Sequence, residues 1–306
     1  MFMKRKRQKK QKEHYTKKQI MTGYGFMAPF LIMFILFTIL PVVLSIVLSF
    51  TYFNGFSMPG FVGLGNYIKL FLKDTLFTKA VSNTLVFALI TGPLSYLLCF
   101  FLAWAISEFP PKLRSFLTLL FYAPSICGAS YTIFTIIFSG DRYGWINSFL
   151  LKMNIIYEPI QWLTDIQYMF GVAVIIVLWS SLGTSFLAFI AGFLNVDQNL
   201  YEAGAMDGVK NRWQELWYIT LPSMKPQLMF GAVMSITSSF GVGAMIDVVF
   251  GNPSTNYELY TMVHELQDYA NTRLELGYAS AIATVLFVIM LVANSVIQKI
   301  IRKVGD

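Results

Sequence analysis

The sequence has 306 residues and a formal net charge of +7, and 56% of its residues are hydrophobic whereas only 13% are charged. Soluble domains usually carry about 25% charged residues, so this composition excludes an ordinary soluble protein and indicates a membrane protein. Because the apolar runs extend along the whole chain, no room is left for a separate soluble domain, and we predict a single membrane domain.

The chain begins with a basic segment, residues 1–25, whose first 19 residues contain nine lysines or arginines. Such a block is retained on the cytoplasmic side of a membrane, where it contacts anionic lipid. A nucleic-acid-binding arm would carry the same charge. A basic cluster directly before an apolar span is typical of membrane orientation instead, so we predict no nucleic-acid partner.

Six apolar runs follow, and each is long enough to cross a bilayer core, which needs about 20 helical residues. None contains Asp, Glu, Lys or Arg, and they cover approximately residues 26–50, 81–106, 115–139, 167–192, 227–246 and 278–298. Each is longer than the roughly 9–11 residues of a membrane β-strand, so we predict an all-α polytopic protein with six transmembrane helices. Prolines inside the spans predict kinked or locally opened helices; they are Pro29, Pro41, Pro93 and Pro124.

The distribution of basic residues predicts the orientation of this transmembrane domain, residues 26–298. If residues 1–25 are cytoplasmic, the other inner segments are 107–114, 193–226 and the tail 299–306. The inner segments hold 17 of the 23 lysines and arginines and the outer segments hold 6. Cytoplasmic loops of membrane proteins carry such an excess of basic residues, so we predict that both termini are cytoplasmic.

The predicted cytoplasmic loop 193–226 contains an unusually charged stretch, LYEAGAMDGVKNRWQELWYITLPSMKPQL, residues 200–228. Its apolar residues can line one side of a short amphipathic helix that begins near Leu200. Gly204 and Gly208, four residues apart, would leave one face of that helix bare, so that a bulky partner group could approach closely. Pro222 is expected to end the loop's helical structure at Leu221, because proline disfavours helical geometry in the preceding residue.

These letters carry a family resemblance. EAGAMDG followed by ITLP resembles the EAA loop of bacterial ATP-binding-cassette importer permeases, the inner-membrane components of binding-protein-dependent transport systems. FVGLGNYIKLF and SNTLVF are similar to the outer loop and second span of the carbohydrate branch, the maltose and multiple-sugar type. VLWSSLGTSFLAFIAGFLNVDQNLYEA resembles its fourth span. The resemblance covers nearly the whole chain in order and implies the type I importer permease fold.

In that family the loop forms a coupling helix that fits a groove on a separate ATPase subunit. The matching positions here are Glu202, Ala203, Gly204, Asp207, Gly208, Leu221 and Pro222. Two departures from the family pattern stand out. Gly204 replaces an alanine, which should weaken the local helix by up to about 1 kcal/mol, and the stretch from Gly208 to Ile219 is one residue longer than usual.

Catalytic and metal-binding patterns are absent from the sequence. No Gly-rich phosphate loop with a following Lys and Ser or Thr is present, so ATP and Mg²⁺ are expected on a partner ATPase and no cofactor is expected on this chain. His14 and His264 lack metal-ligand spacing, so no metal site is predicted. No catalytic residue is predicted either, and Glu265 and Asp268, an i, i+3 pair on an outer segment, are expected on a solvated face.

Polar side chains inside the spans indicate a solute path, since each needs a partner away from lipid. The polar set is Asn83, Ser180, Ser181, Thr184, Ser185, Ser235, Thr237, Ser238, Ser239 and Asn294. From these and the nearby aromatic residues we predict that Asn83, Trp179, Ser180, Thr184, Ser185 and Ser238 line the path, with Tyr131 as a further aromatic candidate. Neutral hydroxyls and amides beside aromatic rings suit a hydroxylated solute such as a sugar.

The resemblance implies the permease subunit of an ATP-driven importer that moves a sugar or oligosaccharide across a bacterial cell membrane by alternating access. The expected partners are a second, similar permease, two ATPase subunits and an extracytoplasmic solute-binding protein. An alternative is a secondary transporter driven by an ion gradient. That class predicts paired intramembrane acids or internal repeats, and the sequence shows neither clearly.

Overall fold

The computed structural model describes residues 17–126 and 130–302 of the chain. The basic residues before Lys17, including His14, therefore lie outside the described part, as do Cys127 and the last four residues. The described chain is almost entirely helical. Its strands, Thr51–Tyr52 and Gly60–Phe61, form one short antiparallel pair in which Thr51 lies opposite Phe61.

The helices are numbered here in chain order. They are α1 (Lys17–Phe34), α2 (Leu40–Leu48), α3 (Gly65–Leu72), α4 (Thr75–Ser107), α5 (Pro111–Ile126), α6 (Ser130–Ile137), α7 (Trp145–Lys152), α8 (Ile166–Ser180), α9 (Thr184–Leu194), α10 (Gln198–Met206), α11 (Arg212–Glu215), α12 (Leu221–Ser223), α13 (Lys225–Phe240), α14 (Gly243–Phe250), α15 (Met262–Gln267) and α16 (Leu276–Arg302). Wider π-helical turns cover Ile35–Ile39, Leu216–Thr220 and Asp268–Thr272, and a 3-10 turn covers Thr255–Tyr257.

Length and apolar composition give three candidate membrane spans among the described residues, or six if each of three bent helix pairs forms one span. Three are continuous helical stretches, Met21–Leu48, Thr75–Ser107 and Leu276–Ile301. The other three are bent helix pairs, Pro111–Ile126 with Tyr131–Ile137, Ile166–Ser180 with Thr184–Leu194, and Lys225–Phe240 with Gly243–Phe250. Each predicted span falls on one of these stretches, and the predicted all-α polytopic fold is confirmed.

The prolines coincide with only some of the irregular points in the spans. Pro29 and Pro93 lie inside continuous helices, whereas Pro41 follows the π-helical turn Ile35–Ile39 and stands in the first turn of α2. Pro124 lies in the last turn of α5, the first helix of the bent pair that forms the third candidate span. The fourth and fifth spans bend by 45° where no proline stands, at segments that contain Gly183 and Gly241. Neighbouring helices can supply partners for the carbonyls that a proline frees, so a proline inside a membrane bundle need not break its helix.

Helix α4 organises the core, because it packs against α8, α9 and α13. Its first turn is capped by Asp74, whose Oδ1 accepts a hydrogen bond of 3.0 Å from the Phe77 amide. Along its length, Phe77, Phe87 and Phe100 each belong to a different cluster of buried apolar side chains. The core is therefore layered along this one helix.

Small residues bring α9 and α13 close together. A Cβ atom on Gly231 of α13 would collide with the ring of Phe189 of α9, and one on Gly192 would lie 2.6 Å from the Met224 methyl group. The Ser185 hydroxyl donates a hydrogen bond of 3.2 Å to the Gly231 carbonyl. Membrane helices associate through such small-residue contacts and interhelical hydrogen bonds.

The outer segment between α14 and α16 corrects one expectation. Glu265 was expected on a solvated face with Asp268, but its side chain is only 1% exposed, as is that of His264. The reason is that α15 is docked on the bundle, where the Met262 amide donates a hydrogen bond of 2.9 Å to the Thr84 hydroxyl of α4. Asp268 remains partly exposed and pairs with Arg273 at 2.7 Å.

His264 caps this docked helix. Its Nδ1 atom accepts a hydrogen bond of 2.9 Å from the Thr261 amide, and its Nε2 atom lies 3.2 Å from Asp247 Oδ1 on α14. An Nδ1 atom that accepts a hydrogen bond requires the tautomer protonated on Nε2. Burial lowers the pKa of His264, although the neighbouring Asp247 carboxylate opposes the effect. The neutral form therefore holds α15 against the bundle.

Candidate functional site

Two broken spans meet at a small cavity. Helix α8 ends at Ser180 and α9 begins at Thr184, whereas α13 ends at Phe240 and α14 begins at Gly243. The cavity between the two breaks has a volume of about 80 Å³. Its walls are Ser95, Tyr131, Val177, Ser180, Ser181, Ser238, Ser239, Gly241, Val242 and Met245. Six of these ten residues carry hydroxyl groups, so the lining is polar and uncharged.

The serine hydroxyls that line the cavity keep the capacity to accept hydrogen bonds from a solute. Ser181 donates to the Leu178 carbonyl at 2.7 Å, and Ser239 donates to the Ile236 carbonyl at 2.7 Å. A hydroxyl that donates its proton to its own helix can still accept a hydrogen bond from a solute. The Ser180 Oγ atom is buried and has no hydrogen-bond partner. Ser180 can therefore both donate to and accept from a solute hydroxyl.

The cavity is smaller than a ligand pocket, which usually encloses about 300 Å³ or more. A sugar could occupy it only after the helices that carry the two breaks had separated. Those helices are short and meet at bends of 45°, so the fold offers points at which such a separation could occur.

The structure separates the predicted path residues into two groups. Ser180 and Ser238 line the cavity, together with Tyr131. Asn83, Trp179, Thr184 and Ser185 are not among its lining residues. The Asn83 amide donates hydrogen bonds of 2.9 Å to the carbonyls of Glu258 and Tyr260, which fixes the outer segment. Trp179 is 49% exposed, Thr184 is also exposed, and Ser185 joins α9 to α13 as described above.

Ser95 is the lining serine that the predicted polar set omits. It belongs to α4, far along the chain from both breaks, and only the packing of α4 against α9 and α13 brings it to the cavity. A polar side chain inside an apolar span is the signal that could have indicated it, as it did Ser180 and Ser238.

A second candidate site is the loop 193–226 between the two broken spans. Helix α10 is capped by Asp197, whose carboxylate accepts a hydrogen bond of 3.0 Å from the Asn199 amide. Glu202, Ala203 and Asp207 are exposed on or next to this helix, and Met206 is 89% exposed. The predicted amphipathic helix is therefore present, with a free outer face.

The chain then returns to the membrane through a helical stretch, Arg212–Ser223, which we call the return segment. The expectation that the helical structure ends at Leu221 is wrong. The Leu221 amide donates to the Leu216 carbonyl in a π-helical turn, and Pro222 continues the helical stretch as the second residue of α12.

The two glycines of the loop have separate roles and do not form one bare face. Gly208 lies beyond the helix with φ +93°, and a Cβ atom there would meet nothing within 4 Å. Gly204 packs against the return segment, because a Cβ atom on it would lie 2.5 Å from the Ile219 Cδ1 atom. Glycine in place of alanine at 204 therefore makes room for Ile219.

The return segment is anchored on the inner end of α4. Arg212 forms ion pairs of 2.9 Å with Glu108 and 2.8 Å with Glu215, and the Trp213 ring lies 4.9 Å from the Trp104 ring. Among the described residues, no cluster of three or more His, Cys, Asp or Glu side chains could hold a metal ion. The ion pair with Glu108 and the ring contact fix the return segment to α4, while the side of α10 that carries Met206 stays exposed.

Comparison with known proteins assigns the family. The profile of the family described as "binding-protein-dependent transport system inner membrane component" matches residues 111–306. The chain is 30% identical to the probable ABC transporter permease protein YesP of Bacillus subtilis over 285 residues, 91% of this chain and 90% of that protein. It is 31% identical to the lactose transport system permease protein LacF of Rhizobium radiobacter over 242 residues, 76% of each chain.

A solved structure has the same fold. A chain of a bacterial ABC transporter involved in the import of the acidic polysaccharide alginate superposes with a TM-score of 0.76 at 21% identity, covering 94% of this chain and 98% of that one. At this identity the likeness shows the fold alone. Together with the family profile and the two relatives, it shows that the chain belongs to the inner-membrane permease components of binding-protein-dependent transport systems.

Proposed function

We propose that this chain is the permease subunit of an ATP-driven importer that moves a sugar or oligosaccharide into the cell by alternating access. The observation that carries the proposal is the uncharged, hydroxyl-lined cavity where the fourth and fifth spans both break. A relative that is named for lactose transport and is 31% identical supports a carbohydrate as the solute.

The cavity suits the chemistry of sugars. A sugar loses its hydrogen bonds to water when it enters the bilayer, and the serine hydroxyls can replace them. Ser180 supplies a free donor, and the neighbouring serines supply acceptors whose positions are fixed by bonds to their own helices. No lysine or arginine lines the cavity, so the site favours a neutral solute over an anion.

Transport requires the cavity to open to each side in turn, and the energy for this comes from partner subunits. We place the coupling contact on α10, whose exposed face would enter a groove on an ATPase that binds ATP and Mg²⁺. A second permease would complete the pathway, and an extracytoplasmic binding protein would deliver the sugar to the outer mouth. Loop 193–226 and both termini would then lie in the cytoplasm.

The first experiment tests the partner contact. Met206→Asp places a charge on the exposed face of α10, and Met58→Asp is its control, since Met58 is 92% exposed on the outer loop. Affinity purification in mild detergent should recover an ATPase and a second permease with the wild type and Met58→Asp. Met206→Asp should recover the second permease but lose the ATPase.

The second experiment tests the solute site in cells supplied with radiolabelled lactose, maltose and maltotriose. Ser180→Leu fills the cavity, whereas Ser295→Leu makes the same exchange at an exposed position of α16. We expect uptake of at least one of these sugars by the wild type and Ser295→Leu, and none by Ser180→Leu. Uptake that continues after ATP depletion and stops when the ion gradient is dissipated would overturn the proposal in favour of a secondary transporter.

A further inference from the structure

A hydrogen bond joins α10 to the return segment. The Tyr201 hydroxyl lies 2.8 Å from the Thr220 hydroxyl, and Thr220 is buried, with only 3% of its surface exposed. The Thr220 hydroxyl also donates a hydrogen bond of 3.2 Å to the Glu215 carbonyl. Tyr201 is therefore the donor in the bond to Thr220.

The same face of α10 makes a second contact with the same place. Tyr201 and Gly204 are three residues apart and so share one face of the helix. Gly204 lies against Ile219, the residue before Thr220, so closely that a Cβ atom on Gly204 would displace the Ile219 Cδ1 atom. The face that carries Met206 remains exposed. Helix α10 thus has one face turned to the return segment and another that is free for a partner.

Thr220 stands where the return segment leads into the fifth span. It is the last residue of the π turn, and after it the chain continues through α12 into α13. Helix α13 in turn carries Ser238 and Ser239, which line the cavity. A displacement of α10 that is passed to Thr220 would therefore act on the helix that forms one wall of the cavity.

We infer that Tyr201 and Thr220 are positioning residues, whose hydrogen bond makes α10 and the return segment move together and so passes the motion of the ATPase to α13. The inference rests on the proposed function. It predicts that loss of the bond leaves ATPase docking and ATP hydrolysis intact. The cavity, however, should no longer open or close in response to them.

The test uses the complex with its ATPase and needs no knowledge of the solute. A cysteine introduced as Ser238→Cys, in a chain without its two native cysteines, reports access to the cavity by its rate of reaction with a maleimide. In the parent complex, trapping with ATP and vanadate should change this rate at least threefold. Tyr201→Phe, which removes only the hydroxyl, should trap vanadate equally well and abolish the change in rate.

Controls separate the bond from general damage. Tyr218→Phe makes the same exchange on a 69% exposed residue of the π turn and should behave as the parent. Thr220→Val should match Tyr201→Phe, and Thr220→Ser, which keeps the hydroxyl, should restore the response. The two substitutions combined should do no more than either alone, because they break one bond.

The outcomes distinguish the two proposals. The proposed function itself would be overturned if the parent complex contained no ATPase. It would also be overturned if the maleimide reaction rate of Ser238→Cys did not change with ATP and vanadate. A normal parent with an unchanged response in Tyr201→Phe would overturn only the inference. Loss of the ATPase from Tyr201→Phe would also overturn it, because Tyr201 would then serve docking and not transmission.

Discussion

At the scale of single residues, Glu265 shows how the docking of α15 on the bundle changes the pKa of a carboxyl group. Burial raises its pKa to about 7, and the negative charges of Asp74 and Asp268 act in the same direction. The hydrogen bond from Tyr260 and the charge of Arg273 oppose the shift but do not cancel it. The Oε2 atom has no hydrogen-bond partner, so the protonated carboxyl group fits this position better than the carboxylate.

This predicts that Glu265 weakens the fold at alkaline pH. Its pKa is about 7 in the folded protein and 4.5 as an ordinary glutamate. The stabilisation from its protonated form is complete below pH 4.5 and is lost as the pH rises to about 7, which amounts to at most about 3 kcal/mol. Glu265→Gln cannot ionise, so it should raise the thermal unfolding temperature at pH 8 and change it little at pH 4.5.

Thermal unfolding of the detergent-purified protein at the two pH values would measure this effect. Glu158→Gln, at an exposed outer position, controls for the change in net charge and should show no pH-dependent difference. Equal effects of Glu265→Gln at pH 4.5 and pH 8 would contradict the raised pKa.

At the scale of elements, the coupling loop is the clearest case of tertiary packing overriding a local preference. Local rules correctly predict a helix near Leu200, because its apolar residues recur with helical spacing. The same rules predict that the loop's helical structure ends at Leu221. In the structure, the return segment continues past Leu221 after a π turn. The π turn places Ile219 and Thr220 against α10, and these contacts outweigh the local effect of Pro222.

This packing predicts that Gly204→Ala and Ile219→Val are energetically coupled. Alanine favours the helix by up to about 1 kcal/mol over glycine, but its methyl group would lie 2.5 Å from Ile219 Cδ1. Ile219→Val removes that atom and makes room. The effect of Gly204→Ala on the free energy of unfolding should therefore be more favourable by at least about 0.5 kcal/mol in the Ile219→Val background than in the wild type.

A double-mutant cycle of thermal unfolding in detergent would measure the coupling. Ala203→Gly, on the exposed side of α10, provides a control that changes helix propensity without a contact to Ile219, and it should be additive with Ile219→Val. Additive effects of Gly204→Ala and Ile219→Val would show that the close approach does not constrain the helix.

At the scale of the whole molecule, the orientation in the membrane follows from charge. The 17 basic residues on the predicted inner segments exceed the 6 on the outer segments, so the positive-inside rule predicts that α10 lies in the cytoplasm. This places two nearly fully exposed methionines, Met58 and Met206, on opposite sides of the membrane.

Cysteine labelling of intact cells tests this orientation. In a chain whose native cysteines are replaced by serine, Met58→Cys should react with a membrane-impermeant maleimide and Met206→Cys should react only after the cells are opened. The two sites match in exposure within this chain, at 92% and 89%, and expression without the ATPase keeps Met206 uncovered, so a difference reports sidedness and not accessibility. The reverse pattern would invert the predicted topology.

The sequence alone determined the class of protein, the positions of the candidate spans and the existence of a helix near Leu200. These depend on composition, on the length of uncharged runs and on helical spacing, all of which are properties of neighbouring residues. It also indicated Ser180 and Ser238, because hydroxyl groups in an apolar run need partners.

Only the tertiary structure decided which polar groups meet. Ser95 reaches the cavity because α4 packs against both broken spans, Glu265 is buried because α15 docks on α4, and Gly204 contacts Ile219 because the return segment packs on α10. Each of these facts joins residues that are distant in the chain. Local patterns carry no information on such contacts, since the contacts arise from how the helices pack together.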